Sequence, residues 1–485
     1  MPHPKPDVFV VVLDCVRAEE LTGLAHATSP PSTVGQLCRI STEFDHCVAP
    51  SSWTVPSHAS VLTGRYPDQL GTFSLSREAL PAECPTLPEV LREAGYDTQI
   101  ISGNHNLRPS LGLTRGFNRA AWARWGVTWL KLGQRDDRPF EPGGGSHGDQ
   151  LRTRLIEEQP RGVWKLAAGV AATIPRYPVL LYLASRIIQS VRCPGQPFEG
   201  RSAPWIEGLF SNWIRAVPRE QPCFTLVNLM DAHEPYLPDY DGTLDFASWW
   251  RRVRQRQDAA TWYRGKWTPD EGDLRALHDF YLEKLRILDR RVGELIRIIQ
   301  DAGRWDECLF ILTSDHGQAF GEGGNLFHGT TAEDAVARVP LMVKWPQFRH
   351  SGVVSHNWTS LVDITPTVLA ETGVRSPPDV AGVPLQQSVS SPRSSPVYCV
   401  TELIPSPVQN NPARAQRLSV SFFFDESKQT YETGQRIELD SGTERGHEGM
   451  RSVIARLDRI ASTGVASEVI DQSSTVKRLR GWGYF

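Results

Sequence analysis

Short apolar runs alternate along this chain with longer segments of helical periodicity, and this alternation restricts the fold more than any other feature. Five of the runs have the composition of buried strands; they are Val8–Leu13, Thr98–Ser102, Phe224–Met230, Leu309–Ser314 and Val339–Val343. Leucine and isoleucine recur every three to four residues over Leu274–Ile299, which predicts a long amphipathic helix. Strands that alternate with helices usually form a parallel sheet covered on both faces. We therefore expect an α/β fold in which helices sandwich a mostly parallel central sheet.

Changes in composition divide the 485 residues into predicted units. Residues 120–222 contain few strand signals, which predicts a helical insertion over the edge of the sheet. The run Ser388–Pro396, SVSSPRSSP, has the composition of a linker, and the strand-like run Leu418–Phe424 follows it. We therefore predict a large α/β domain over residues 1–380 and a small C-terminal sheet-and-helix subdomain over residues 381–485.

The balance of charges excludes a general attraction to nucleic acids. The chain has 52 Lys and Arg residues against 55 Asp and Glu residues, a net charge of −3. No nucleic-acid partner is therefore expected, and any site for an anion must be local. The eight cysteines are scattered and include no CxxC pair, which argues against a zinc ribbon or a disulfide framework and favours a reducing, cytoplasmic location.

No transmembrane segment is predicted. No stretch reaches the roughly 18 apolar residues of a membrane-spanning helix, and the apolar run near the N-terminus is too short for a signal peptide. Residues 162–191 come closest, but charged residues and prolines interrupt them. We interpret them as buried helices, with peripheral contact to a membrane surface as the alternative.

Polar side chains that can bind a metal ion follow four of the predicted strands. These side chains are Asp14, Asn104 and His105, Asp231 and His233, and Asp315 and His316. Any one of them alone has a simpler role as a helix cap or a turn residue. Because the carboxyl ends of parallel strands meet at one edge, the carboxylates would crowd there and repel unless a cation neutralises them. We predict one divalent ion: Ca²⁺, Mg²⁺ or Mn²⁺ by oxygen preference, or Zn²⁺ if more histidines join.

A threonine precedes a short helix in the stretch Ser51–Ser60, SSWTVPSHAS. Pro56 suits a first helical turn, and Ser57–Leu62 can form a helix that Gly64 ends. Thr54 would then lie at the helix N-terminus, where free amide groups favour a bound anion. A capping role would explain this threonine if it stood alone. Beside a divalent ion, its hydroxyl would become a nucleophile that faces an anion pocket.

Five segments form a set in a fixed order over residues 7–373: VFVVVLDCVRAEEL, APSSWTVPSHASVLTGRYP, NLMDAHEPYLP, ILTSDHGQAFGEGGNLFHGTTAEDAVARVPLMVKWP and LVDITPTVLAETG. Together they resemble the sulfatase family of the alkaline phosphatase superfamily. The resemblance implies four metal ligands, namely Asp14, Thr54, Asp315 and His316, with Thr54 at the nucleophile position. It also places His58, where the family's motif usually carries an arginine, against the bound anion. His233 and His328 fall at positions that contact the substrate's oxygens or protonate the leaving group.

Two departures from the sulfatase pattern affect the expected chemistry. Sulfatases convert a cysteine or serine to formylglycine at the nucleophile position, whereas the β-carbon of Thr54 already carries a methyl group, so the hydrated aldehyde is excluded. Many sulfatases also have adjacent aspartates after the first strand, whereas Cys15 follows Asp14 here, and a thiol is a poor ligand for a hard ion. A threonine nucleophile resembles the superfamily's phosphodiesterases and its phosphoglycerol or phosphoethanolamine transferases.

Three functions fit these features. The first is a sulfatase-like, metal-dependent hydrolase of sulfate or phosphate esters that attacks through a metal-bound Thr54 and forms a covalent intermediate. The second is a phosphotransferase that moves a phospho-alcohol group to an alcohol. The third is a non-catalytic member that binds an anionic glycan or lipid, for which Ser248–Trp267, with tryptophans among basic residues, supplies stacking groups. In each case the expected ligand is a small-molecule, glycan or lipid ester that carries negative charge.

Overall fold

An eight-stranded sheet forms the centre of the protein in the computed structural model. The structure describes residues 5–27, 31–71, 80–104, 106–122, 205–234, 236, 262, 267–402, 418–424, 427–433 and 444–462. The strands are β1 (Val8–Leu13), β2 (Thr42–Phe44), β3 (Cys47–Val48), β4 (Asp97–Ser102), β5 (Arg119–Trp122), β6 (Cys223–Leu229), β7 (Leu309–Ser314), β8 (Ala319–Phe320), β9 (Leu326–Phe327), β10 (Leu341–Lys344), β11 (Val353–Ser355), β12 (Thr359–Ser360), β13 (Val397–Glu402), β14 (Leu418–Phe424) and β15 (Ser427–Glu432). The α-helices are α1 (Ala18–Ala27), α2 (Thr33–Ile40), α3 (Thr54–Thr63), α4 (Pro67–Leu70), α5 (Leu87–Glu93), α6 (Trp205–Ala216), α7 (Glu271–Asp301), α8 (Asp334–Ala337), α9 (Ile364–Thr372), α10 (Leu385–Ser388) and α11 (Glu444–Ser462).

The sheet is mostly parallel, as predicted. Its strand order is β11-β2-β10-β7-β1-β6-β4-β5, and the five strands from β7 to β5 in that order are parallel. Strand β10 runs antiparallel to β7, because the chain returns beside β7 through short elements rather than crossing over the sheet. The predicted strand Val339–Val343 corresponds to β10, which begins two residues later and ends one residue later. The apolar composition of this run did not reveal that the strand is antiparallel to β7.

Helices cover both faces of the sheet, which explains why the central strand β1 is apolar at every position. In β1, Phe9 and Val11 pack into a core with α1, α2, α6 and α7. Val8 and Val10 point to the opposite face and pack against α3, α5 and α9. The predicted long helix is α7, which begins after Asp270, whose carboxylate accepts the amide hydrogen of Asp273 at 2.8 Å. The expected α/β sandwich is thus confirmed.

A small antiparallel sheet lies at the C-terminal end of the described chain. Strands β13, β14 and β15 form it, and α11 packs Met450 and Leu457 into its core. The division of the chain at residue 380 stays a prediction. Of the predicted insertion over 120–222, the structure describes the end of β5 and helix α6, and residues 123–204 lie outside the described residues.

Two other predicted segments lie wholly or mostly outside the described residues. Residues 162–191 are outside them, and of Ser248–Trp267 only Trp262 and Trp267 are described, both of them buried. Among the helices that the structure describes, none has the length and apolar composition needed to cross a membrane.

Candidate active site

Thr54 is the first residue of the buried helix α3. The preceding Trp53 has extended backbone angles, φ −141° and ψ 145°, and supplies no side-chain cap. The helix ends at Gly64, whose φ of 68° lets its amide reach the carbonyl oxygen of Ser60 at 2.8 Å. The predicted helix therefore exists and extends to Thr54, whose hydroxyl lies beside the unpaired amides of the first turn.

The C-terminal sheet supports the loop that leads to Thr54. The amide of Val400 in β13 donates to the carbonyl oxygen of Pro50 at 2.9 Å. The hydroxyl groups of Ser52 and Thr401 share a hydrogen bond one step further along. Because both contacts are buried, the C-terminal sheet belongs to the scaffold of the candidate site.

The parallel pairing of β1 with β7 brings two carboxylates to one place. Leu13 lies opposite Ser314 in the register, so Asp14 and Asp315 leave the sheet side by side. Both side chains are completely buried. This pairing explains why Asp14 and Asp315, 301 positions apart in the sequence, share one site.

The ring of His316 connects these carboxylates to Thr54. Its Nε2 atom lies 3.3 Å from Thr54 Oγ1 and 3.5 Å from Asp315 Oδ2. Its Nδ1 atom donates to the carbonyl oxygen of Gly317 at 3.0 Å, which leaves a lone pair on Nε2. A ligand atom of Asp14 lies within 4.8 Å of a ligand atom of His316. The four predicted metal ligands therefore come together.

The donor atoms around His316 Nε2 fit a divalent cation. Ligand atoms that share one ion at roughly 2.0–2.6 Å lie about 3–4 Å apart, as the two distances from His316 Nε2 do. The Oδ2 atom of Asp315 accepts no hydrogen bond from any residue that the structure describes. Such a buried and unpaired carboxylate oxygen is costly unless a cation compensates it.

The two carboxyl groups have opposite pKa shifts. Burial raises the pKa of Asp315, and the nearby charge of Asp14 raises it further. Burial also acts to raise the pKa of Asp14, but the positive charges of His233 and His316 and a hydrogen bond from Asn104 outweigh it and bring the pKa to about 2. A cation bound between the two groups would remove the repulsion that raises the pKa of Asp315.

Two asparagines hold Asp14 in place. Asn104 Nδ2 donates to Asp14 Oδ2 at 2.9 Å and lies 3.4 Å from Thr54 Oγ1. Asn228 Nδ2 lies 3.3 Å from the same Asp14 oxygen, and its own Oδ1 accepts from Ser102 Oγ at 3.1 Å. The sequence prediction did not include Asn228. The signal for it was an amide side chain near the end of an otherwise apolar strand.

His58 is buried beneath Thr54 rather than lying open to solvent. Its Nδ1 atom lies 3.0 Å from the carbonyl oxygen of Thr54 and 3.6 Å from Asp315 Oδ2. Its Nε2 atom has no hydrogen-bond partner within the described chain. The structure thus places His58 in the site, and its contact with a substrate anion stays a prediction.

His233 and His328 form a second group beside the first. Their ring centroids are 5.0 Å apart, and His328 stacks on His316 at 4.5 Å. His328 Nδ1 donates to Gln318 Oε1 at 2.9 Å. Burial lowers the pKa of His328 well below its ordinary value, and the nearby Glu234 opposes this only in part. The imidazole of His328 is therefore neutral at pH 7 in the protein alone.

Gln318, which the sequence prediction missed, connects the groups of this second cluster. Its Nε2 atom donates to Glu234 Oε2 at 2.9 Å and to the Tyr236 hydroxyl at 2.8 Å. Since the amide nitrogen is used on these two acceptors, the amide oxygen faces His328 and fixes the proton on Nδ1. The Nε2 atom of His328 is then the one that carries no proton.

The fold defines a class of protein: an α/β protein of the alkaline phosphatase-like fold, in which the predicted nucleophile and the predicted metal ligands lie together at the edge of the sheet. The structure is similar to that of a phosphonate monoester hydrolase of Agrobacterium radiobacter, with a TM-score of 0.59 and 17% sequence identity over 88% of this chain and 87% of that one. It is also similar to a 2-O GAG sulfatase, with a TM-score of 0.56 and 14% identity over 88% of this chain and 83% of that chain.

The sequence model of the sulfatase family matches residues 6–374, and the chain belongs to this family. It is 26% identical to mouse steryl-sulfatase over 421 residues, which cover 78% of this chain and 64% of the mouse protein. It is 24% identical to an N-acetylglucosamine-6-O-sulfatase of Bacteroides thetaiotaomicron over 81% of this chain and 72% of that protein. The resemblance inferred from the sequence motifs is confirmed.

Proposed function

We propose that the protein is a metal-dependent hydrolase of sulfate or phosphate esters in which Thr54 is the nucleophile. The observation that carries this proposal is the position of Thr54 Oγ1, 3.3 Å from His316 Nε2 and 3.4 Å from Asn104 Nδ2 at the start of a buried helix. The sulfatases among the relatives, and the structural similarity to a phosphonate monoester hydrolase, support the reaction class.

The residues that would hold the ion are those with converging donors, Asp14, Thr54, Asp315 and His316. The candidate ions are Ca²⁺, Mg²⁺, Mn²⁺ and Zn²⁺. When bound, such an ion would lower the pKa of a coordinated hydroxyl and neutralise the anionic oxygens of the ester. The unpaired Oδ2 of Asp315 is the feature that this assignment explains.

The protein's own groups then divide the work of an in-line displacement. The first-turn amides of α3 bind the anionic group of the ester. Thr54 Oγ releases its proton to solvent and attacks the phosphorus or sulfur atom, and the bond to the leaving oxygen breaks. The leaving oxygen takes a proton from a histidine, for which the neutral state of His328 favours His233. Water then cleaves the covalent ester on Thr54 and restores the hydroxyl.

A transfer reaction is the second candidate because of the threonine itself. An ester on Thr54 has no aldehyde hydrate through which to eliminate, so it must be cleaved by attack on phosphorus or sulfur. Either water or an alcohol can make that attack, and the two products differ. Incubation with a labelled donor and an alcohol acceptor yields a new ester only if the group is transferred.

Replacement of the nucleophile tests the proposal. Turnover should be measured with an aryl sulfate, a phosphate monoester and a phosphate diester, each with and without a chelator. The variant Thr54→Ala should lose at least about 10³-fold in kcat for the best substrate, whereas Thr54→Ser, which keeps the hydroxyl, should retain part of it. Metal content should fall only in part in both variants. Unchanged turnover in Thr54→Ala would exclude the nucleophile.

A further inference from the structure

Cys15 occupies the position where many sulfatases carry a second aspartate, and its thiol points into the candidate metal site. Its Sγ atom lies 3.3 Å from Asp14 Oδ1, and it is completely buried. Ligand atoms of Asp14, Cys15 and His316 all lie within 4.8 Å of one another. A sulfur, an oxygen and a nitrogen donor therefore surround the same small volume.

The backbone at Cys15 is held in an unusual conformation that directs the thiol to this point. Its φ is 65°, a left-handed value that costs a non-glycine residue about 1–2 kcal/mol. Contacts on both sides hold it: its amide lies 3.4 Å from Asp315 Oδ1, and its carbonyl oxygen accepts from the Tyr281 hydroxyl at 3.2 Å. Strain of this kind at a buried position points to a role for the side chain in the site.

The unpaired oxygen of Asp315 is independent evidence for a cation at this place. Asp315 Oδ2 is buried and has no hydrogen-bond partner in the described part of the chain, and it lies 3.5 Å from His316 Nε2. The thiol of Cys15 can donate to only one of the carboxylates, and its closest acceptor is Asp14. His316 Nε2 and His58 Nδ1 approach this oxygen at 3.5 and 3.6 Å without a hydrogen bond, so a bound cation would complete the compensation of its charge.

Cys15 also lies near the second group, formed by His233 and His328, but the Nδ1 atoms of these two rings are used in hydrogen bonds. Cys15 Sγ is 3.6 Å from His328 Nδ1. That nitrogen donates to Gln318 Oε1 at 2.9 Å, and Nδ1 of His233 faces the carbonyl oxygen of Glu234 at 2.7 Å. A ring nitrogen that carries a proton cannot also bind a metal ion. Cys15 Sγ is closer to Asp14 Oδ1, at 3.3 Å, and we therefore assign the thiol to the group formed by Asp14 and His316.

We propose that Cys15 Sγ is a direct ligand of the ion and that the site consequently selects a borderline transition-metal ion such as Zn²⁺ over Ca²⁺. Thiolate and imidazole donors favour such ions, whereas Ca²⁺ and Mg²⁺ prefer oxygen donors. As the ion binds, the S–H bond breaks, the sulfur donates an electron pair to the ion and the proton leaves to solvent. This inference rests on the proposed function for the location of the ion.

Cobalt substitution tests the sulfur ligand without any measurement of activity. The full chain should be freed of metal with a chelator, titrated with CoCl₂ and followed by absorption in the near ultraviolet, where a thiolate bound to Co²⁺ gives a charge-transfer band. The band should appear in the wild type and in Cys38→Ser, a control at a half-buried cysteine of α2. It should be absent in Cys15→Ser although Co²⁺ still binds. Absence of the band from cobalt-saturated wild type would refute the ligand.

Metal competition tests the selectivity. Affinities for Zn²⁺ and Ca²⁺ should be measured against a chromophoric chelator, with circular dichroism to verify folding of each variant. Cys15→Asp should bind Zn²⁺ at least about tenfold more weakly and Ca²⁺ more tightly than the wild type. Preference of the wild type for Ca²⁺ would overturn the proposal. Because Thr54→Ala leaves the thiol in place, a cobalt band in that variant together with undiminished turnover would reject the nucleophile while supporting the sulfur ligand.

Discussion

Removal of the Arg291 side chain should destabilise the protein strongly, because this guanidinium is the charge partner of a buried aspartate. Arg291 lies on α7 and is 2% exposed. Its Nε atom lies 3.3 Å from Asp231 Oδ1, directly after β6, and its Nη1 atom donates to Glu207 on α6 at 2.7 Å. The second oxygen of Asp231 has no hydrogen-bond partner among the described residues. Arg291 therefore joins two helices to the strand that leads to His233.

The expected loss of stability in Arg291→Met follows from the burial of Arg291 and Asp231. Loss of one member of a buried ion pair costs about 3–5 kcal/mol, because the other charge is left uncompensated. The contact with Glu207 adds little, since that side chain is 19% exposed and water can solvate it. We expect the free energy of unfolding to fall by about 3–4 kcal/mol. The double variant Arg291→Met with Asp231→Asn should be more stable than the single one, because it removes the buried charge as well.

Urea unfolding followed by tryptophan fluorescence measures this loss as a shift in midpoint at constant slope. Arg297→Met is the matched control on the same helix, since Arg297 pairs with Glu294 and Asp301 but is 58% exposed. The control should lose no more than about 1 kcal/mol. A loss below about 1 kcal/mol in Arg291→Met, or no recovery in the double variant, would refute the idea that Asp231 depends on Arg291 for its charge.

Two further substitutions test the positioning of the site. Gln318→Leu removes the acceptor that fixes the proton of His328; we expect kcat to fall about 10–100-fold with a shifted pH profile, and an unchanged profile would contradict the assigned role. In Gly329→Ala, the alanine would have a strained φ of 81° and its Cβ would lie 2.2 Å from the ring of Trp53. Both the melting temperature and turnover should therefore fall. Gly71→Ala, with φ of 67° but open space, should lose only about 1 kcal/mol, and equal effects in both would argue against the clash.

The central strands could be predicted because they are buried on both faces. Such strands need apolar side chains on both faces, so the runs VFVVVL in Val8–Leu13 and LFIL in Leu309–Ser314 stand out, and both strands have the boundaries that the sequence predicts. The last two strands on one side of the sheet, Thr42–Phe44 and Val353–Ser355, are three residues long and carry too few apolar positions to stand out. Their place depends on pairing partners that are distant in the sequence.

The residues of the candidate site likewise divide into those that the sequence predicts and those that it does not. Asp14 and Asp315 could be predicted because they follow strands directly, and the rule for parallel sheets places strand ends together. The roles of Gln318 and Asn228 depend on which side chains face them, and no local pattern encodes that. The composition of Ser388–Pro396 predicts a linker, but it does not reveal that this run makes a buried contact.

Within that run, Arg393 is buried and its Nη1 atom lies 2.9 Å from Asp363 Oδ2. Asp363 in turn accepts from the amide of Ser360 at 2.8 Å. Burial acts to lower the pKa of Arg393, and the charge of Asp363 overcomes this and raises it. This run of serine and proline residues thus forms a buried ion pair with the residue that precedes α9, which an average of composition cannot detect.

The charge of the site gives the strongest physical reason for an ion. Asp14 and Asp315 are both buried, and their charge can be compensated by protonated histidines, by protonation of Asp315 itself or by a cation. The contribution of the histidines is limited, because burial lowers the pKa of His328 well below its ordinary value. A cation compensates both carboxylates at once and uses the lone pair that His316 presents to Thr54. The same charge that stabilises the buried aspartates would therefore activate the hydroxyl, so that stability and reactivity in this site depend on one group.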